Sequence, residues 1–266
     1  MMTTSLMTIT PQLAKSILES SNNNNRNIST DRVDTYARAM SAGQWMLTHQ
    51  GISFYDDGEL ADGQHRLMAV VKSGSTIQML CTHGLSRMCL IGIDSGRPRD
   101  ATGVIQIAGG GDDVTSRHVG IIRKAVRSGL VRGMPPTSHL SPAEIYSVFK
   151  ANKEKIDFGA KSMKKNAAKL GSAAVRVAAC CAYGKIGHAK LVCFFEVLSS
   201  GVMGKNEDRT VVTLREAILA GRINTGSATA SREEIVMMCS IMKAYDDGVV
   251  MTRIKRSVVE PFDMMI

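Results

Sequence analysis

Apolar residues recur at helical spacing in some stretches of this 266-residue chain and cluster in short extended runs in others. Thr10-Pro11 opens the first helical stretch, to Ser20, with Leu13, Ile17 and Leu18 on one face; Thr10 suits an N-cap and Pro11 a first helical position. The polar tract Ser20–Asn27 reads as a loop. A second helix spans about Thr30–Ala42, with Val33, Tyr36, Ala37 and Met40 as its buried stripe and Gly43 as its stop. Extended segments follow at Gly51–Tyr55 and Glu59–Ala61, joined by the turn Asp56-Asp57-Gly58. A helix from Gln64 to about Ser73 buries Leu67, Met68, Val70 and Val71. Thr76–Thr82 and Leu90–Ile93 read as two further strands, and Arg97-Pro98-Arg99-Asp100 leads into another helix.

Beyond Gly109-Gly110-Gly111 the pattern turns almost wholly helical. Helices are expected over Val114–Gly129, from the capped start Ser141-Pro142-Ala143-Glu144, and over Ala173–Tyr183, Val192–Leu198, Thr213–Ala220 and Ser231–Tyr245. Pro135-Pro136 serves as a linker, and the tail from Val249 to Ile266 folds back on a lobe. The fold expected is α+β, with an N-terminal lobe over 1–110 and a mostly helical lobe over 111–266.

Composition narrows the picture. The chain is 44% hydrophobic, enough for a proper core, but has no run of eighteen apolar residues to cross a bilayer. The N-terminus lacks the basic and apolar regions of a secretory signal. Six cysteines show no metal-binding spacing, which fits a reduced, cytoplasmic protein. The net charge is +9, and residues 116–190 alone carry fifteen Lys and Arg against three acids, an excess of twelve. This segment includes Lys161, Lys164, Lys165 and Lys169. It suits a polyanion such as DNA, or equally a solvated helix face.

The most informative stretch is residues 58–72, GELADGQHRLMAVVK. A strand ends at Asp62-Gly63 and a helix begins on Gln64-His65-Arg66. Amides of a first helical turn, with an arginine and a histidine beside them, make an anion site suited to phosphate. Asp62 at its edge could hold Mg²⁺ against phosphate oxygens. The plainer alternative is a turn with solvated side chains. Downstream, Asp94, Arg97 and Arg99 form either a second wall of that site, a DNA-backbone contact or a solvated turn.

Two segments carry a resemblance. Asn25-Arg26 with the following ISTDRVDTYARAMSAGQW, and the DGQHRLMA element, resemble the ParB/sulfiredoxin superfamily. More closely, Trp45, Gly51, Phe54, Gly58, Leu60, Asp62–Leu67, Gly84-Leu85 and Ile93–Arg97 with Arg99 are similar to phage and prophage proteins labelled ParB-like nuclease domain proteins. Leu214-Arg215, Lys243-Ala244-Tyr245 and Glu260-Pro261-Phe262 extend the likeness toward the C-terminus. The resemblance implies a ParB/sulfiredoxin-like first lobe that binds a nucleotide such as ATP or CTP with Mg²⁺. By the same resemblance Gly63, Gln64, His65 and Arg66 would cradle phosphates, Arg26 would approach from the other side, and Asp62, His65 and Arg66 would serve catalysis. Hydrolysis or phosphoryl transfer on or beside DNA is then expected, with Asp62, Asp94 and Asp34 as carboxylates for a general base. The family label makes a metal-dependent endonuclease one alternative, and a non-enzymatic DNA-binding or host-interaction protein is another. Gln64 stands where sulfiredoxin needs a cysteine, which argues against its chemistry. Residues 114–247 offer no recognisable helix-turn-helix, which argues against chromosome partitioning.

Overall fold

The element order explains how the motif is held. A computed structural model of the chain describes residues 1–22, 27–91, 100–108, 113–137, 139–163, 168–226, 232–254 and 259–266. It is α+β and divides into two compact units, Met1–Pro98 and Arg99–Ile266. The helix Ala101–Ala108 therefore belongs to the second unit, although the sequence reading placed it in a lobe running to residue 110. Gly109-Gly110-Gly111, the expected boundary, lies outside the described residues.

In the first unit, β1 (Thr3–Ile9), β2 (Ile52–Tyr55), β3 (Leu60–Asp62) and β4 (Ile77–Leu85) form one sheet in the order β1-β4-β2-β3. β4 runs parallel to β2, and the other two pairings are antiparallel. Three helices, α1 (Pro11–Ser21), α2 (Thr30–Ser41) and α3 (Gln64–Ser73), begin and end close to where the sequence puts them. Thr10 Oγ1 accepts from the N–H of Leu13, and Ser29 Oγ from that of Arg32. Gly74 ends α3 in the left-handed conformation. α3 packs against both α1 and α2. Val33, Ala37 and Met40 meet Leu67, Ala69 and Val70 in a core that also takes Ile52, Phe54 and Leu60.

Two strand expectations change. β1 lies in a segment where no strand was expected. Conversely, Arg87–Ile91 forms a 3₁₀ turn where a strand was read from Leu90 onward; the remainder of that segment lies outside the described residues.

The second unit comprises α4 (Ala101–Ala108), α5 (Ser116–Arg127), α6 (Pro142–Ala151), α7 (Lys153–Lys161), α8 (Ala173–Ala182), α9 (His188–Ser200), α10 (Asp208–Leu219) and α11 (Arg232–Asp246). α8 is the central element: every residue from Ala174 to Ala182 is buried. Its small side chains let α5, α7 and α11 pack closely around it. The tail does fold back: the Ile266 N–H donates to the Leu130 carbonyl at 2.8 Å, and Met264 and Ile266 are buried.

Candidate functional site: the β3–α3 corner

Gly63 is the hinge of the motif. Its φ of 109° is left-handed, and a Cβ there would sit 2.5 Å from Ile52 Cγ2, so only glycine turns β3 directly into α3. Having no side chain, it gives α3 no side-chain cap. Gly63, Gln64 and His65 are buried, the latter two at 4% and 6% exposure. The expected open anion corner is thus covered by the protein itself.

His65 joins two helix ends. The backbone N–H of Ser29, the N-cap of α2, donates to His65 Nε2 at 2.9 Å. That bond requires an unprotonated Nε2, hence the neutral tautomer with its proton on Nδ1. It brings the N-termini of α2 and α3 together.

Arg66 is turned inward. Its Nη1 donates to the Gly51 carbonyl at 3.0 Å and to Asp62 Oδ2 at 3.3 Å, and its Nη2 donates to Gln50 Oε1 at 3.3 Å. The arginine side chain is 13% exposed, its Asp62 partner 39%. The guanidinium therefore staples α3 to the residues that open β2. Gly51 has its own reason to be glycine, since a Cβ there would fall 1.7 Å from the Leu80 carbonyl oxygen of β4. Sequence reasoning missed Ser29, Gln50 and Gly51 as partners of the motif. The only signal available was the glycine itself, which marks close backbone approach but not to what.

Asp62 is one carboxylate already facing a cation. A Mg²⁺ ion held there would draw its other ligands from phosphate oxygens and water, a common arrangement for this ion. Among the described residues, no group of three or more His, Cys, Asp or Glu side chains is placed to bind a metal. Asp34, another candidate base, pairs with Lys72 across α2 and α3. Arg26, Asp94, Arg97 and Arg99 lie outside the described residues, as do Lys164 and Lys165.

The hairpin before the site is pinned by charge. The Glu59 N–H and then the Arg87 guanidinium hold the Asp57 carboxyl below its ordinary value. Arg87 also lies over the Tyr55 ring, 4.7 Å from its centroid.

The basic stretch of the second unit is thinned by folding. Arg176 is buried and donates to the carbonyls of Gly171, Gly159, Ala160 and Met163, so it organises the interior. Lys124 is buried too, while Arg132, Lys153 and Lys190 are paired with Asp263, Asp157 and Asp246. Lys161 and Lys169 remain exposed. Lys161 stands at the rim of a groove of about 650 Å³ between α7 and α9, whose apolar lining includes Phe158, Val192 and Phe195.

What the fold and the corner define is an α+β unit carrying a strand–glycine–helix motif, followed by a helical unit. Compared with protein-family models, with curated proteins and with solved structures, the chain matches none. No described helix is long and apolar enough to cross a membrane.

Proposed function

We propose that the first unit is a ParB/sulfiredoxin-like module that binds a nucleotide by its phosphates at the β3–α3 corner, with the basic second unit acting on or beside DNA. The observation that carries this reading is the meeting of the α2 and α3 N-termini at His65, two positive dipole ends at one corner beside Arg66. The phosphate would take the place of Asp62 on the Arg66 guanidinium, which keeps its bonds to Gly51 and Gln50. Asp62, released, would face Mg²⁺ carried in with ATP or CTP. Hydrolysis or phosphoryl transfer would follow from charge stabilisation by fixed donors. The unpaired state of all six cysteines supports a cytoplasmic setting.

A second reading is a non-enzymatic DNA-binding protein whose motif is a structural staple. It is favoured by the burial of Gly63–His65 and by the three internal bonds of Arg66.

The deciding experiment is a melting-shift panel of ATP, CTP, GTP and their diphosphates with and without Mg²⁺. Under the first reading at least one nucleotide raises the Tm of the wild type. Arg66→Ala abolishes that shift, and Asp62→Asn, which removes both the competing carboxylate and the metal ligand, enlarges the shift given by nucleotide without Mg²⁺ and removes the extra shift that Mg²⁺ adds. If no nucleotide moves either the wild type or Asp62→Asn while DNA is still bound, the nucleotide reading fails and the second stands.

A further inference from the structure

The two edges of the four-stranded sheet are built differently. β3 is three residues long, ends in Asp62 and follows Asp57 and Glu59, so shortness and charge protect it from adding another strand. β1, the opposite edge, has none of these protections. Its seven residues, TTSLMTI, include no charge and no proline. It pairs with β4 without a bulge, from Thr3 opposite His83 to Ile9 opposite Ile77. Thr3, Thr4, Ser5, Leu6 and Thr8 are exposed. In an antiparallel pair alternate residues turn their N–H and C=O groups outward, so β1 presents a straight row of backbone donors and acceptors on its outer side.

We propose that β1 is a self-association edge, pairing antiparallel with β1 of a second copy about a two-fold axis through Leu6. The sequence of the strand itself selects this occupant. Around Leu6 the exposed face reads Thr4-Leu6-Thr8, the same in both directions. Antiparallel pairing centred there sets Leu6 opposite its symmetry mate and Thr4 opposite Thr8 of the other copy. The β4 register extends each row: Leu6 is beside Leu80, Thr4 beside Thr82 with their hydroxyls 2.9 Å apart, and Thr8 beside Gln78. Joining two copies would therefore align four leucines across the seam, flanked on both sides by polar rows. Such matched cross-strand pairs are what stabilise one strand against another. A partner strand of a different protein would need the same pattern by coincidence, whereas a second copy has it by construction.

A single strand pairing buries little surface, so the dimer is a weak, concentration-dependent one. The seam carries no charge while each chain carries +9. Added salt, which screens that repulsion, therefore tightens the association.

Sedimentation of the full chain over a range of concentrations tests this. Wild type is expected to pass from a 28.7 kDa monomer to a dimer as concentration rises, and to do so earlier in high salt. Leu6 is 51% exposed, so Leu6→Lys and Leu6→Glu should keep the wild-type Tm. Each alone should remain monomeric, because like charges meet on the axis, and an equal mixture of the two should dimerise again. A wild type that stays monomeric throughout overturns the proposal. So does a Leu6→Lys variant that dimerises like wild type, or a mixture that fails to recover the dimer.

Discussion

Arg176 shows how one side chain can hold several backbone ends at once. Its guanidinium donates to the carbonyls of Gly159 and Ala160 at the end of α7, of Met163 just beyond it and of Gly171 ahead of α8. Burial lowers its pKa, yet the four acceptors keep the charge tolerable inside. Arg176→Met should cost on the order of 3 kcal/mol or more, read as a lower urea midpoint with the slope unchanged. In sequence Arg176 counts toward the basic segment, and nothing in its neighbours says it points inward. His118 was equally illegible. Its Nδ1 accepts from the Thr115 N–H at 2.9 Å, its Nε2 lies 3.4 Å from Asp157 Oδ1, and burial pushes its pKa below 6.5 although Asp157 pulls the other way. The depressed folded value means that its contribution is fully present above about 6.5. That contribution is lost as pH falls through the folded value, because the unfolded chain takes up the proton first. The Tm should therefore drop as pH falls below about 6.5, and the drop should shrink in His118→Asn, whose Oδ1 can still accept from Thr115.

Among elements, those with chemical punctuation were the legible ones. Thr10-Pro11, Ser141-Pro142-Ala143-Glu144, Gly63 and Gly74 mark helix ends that the fold reproduces within a residue or so. Ser141 and Glu144 cap each other as the sequence suggests. β1 was missed because it alternates weakly: threonine and serine occupy positions on both faces, and only Ile9 is buried. Strand identity there comes from β4, a partner about seventy residues away, and not from local pattern. Leu90 was misread for the opposite reason, a short apolar run that a 3₁₀ turn can also absorb. The β3–α3 junction was legible as strand, turn and helix. Its burial was not, because which side chains cover Gly63 depends on β2. Gly63→Ala would force both a left-handed φ and a clash with Ile52, so it should destabilise the first unit by about 2 kcal/mol or more. A lowered Tm without ligand is the measurement.

At the scale of the whole chain, charge and fold must be read together. The sequence places an excess of twelve positive charges in residues 116–190, and among the described residues folding withdraws Lys124 and Arg176 into the core and pairs Arg132 and Lys190 with acids from outside that segment. The attraction left for DNA is therefore smaller than composition suggests. Affinity for a mixed-sequence duplex should fall steeply with salt. Lys161→Glu with Lys169→Glu should flatten the log–log slope by about one per lost phosphate contact. The same binding curve separates this surface from the β3–α3 corner, since Arg66→Ala leaves both lysines in place.

The cysteines offer a practical handle. Cys89 and Cys193 are exposed, one in each compact unit, while Cys81, Cys180, Cys181 and Cys239 are buried and three of those four have thiols pushed up by burial. A maleimide spin label should thus attach at two positions on the native chain without any engineering. Each unit brings its own attachment point, and the mobility of the two labels tells which unit responds as nucleotide or duplex is titrated in.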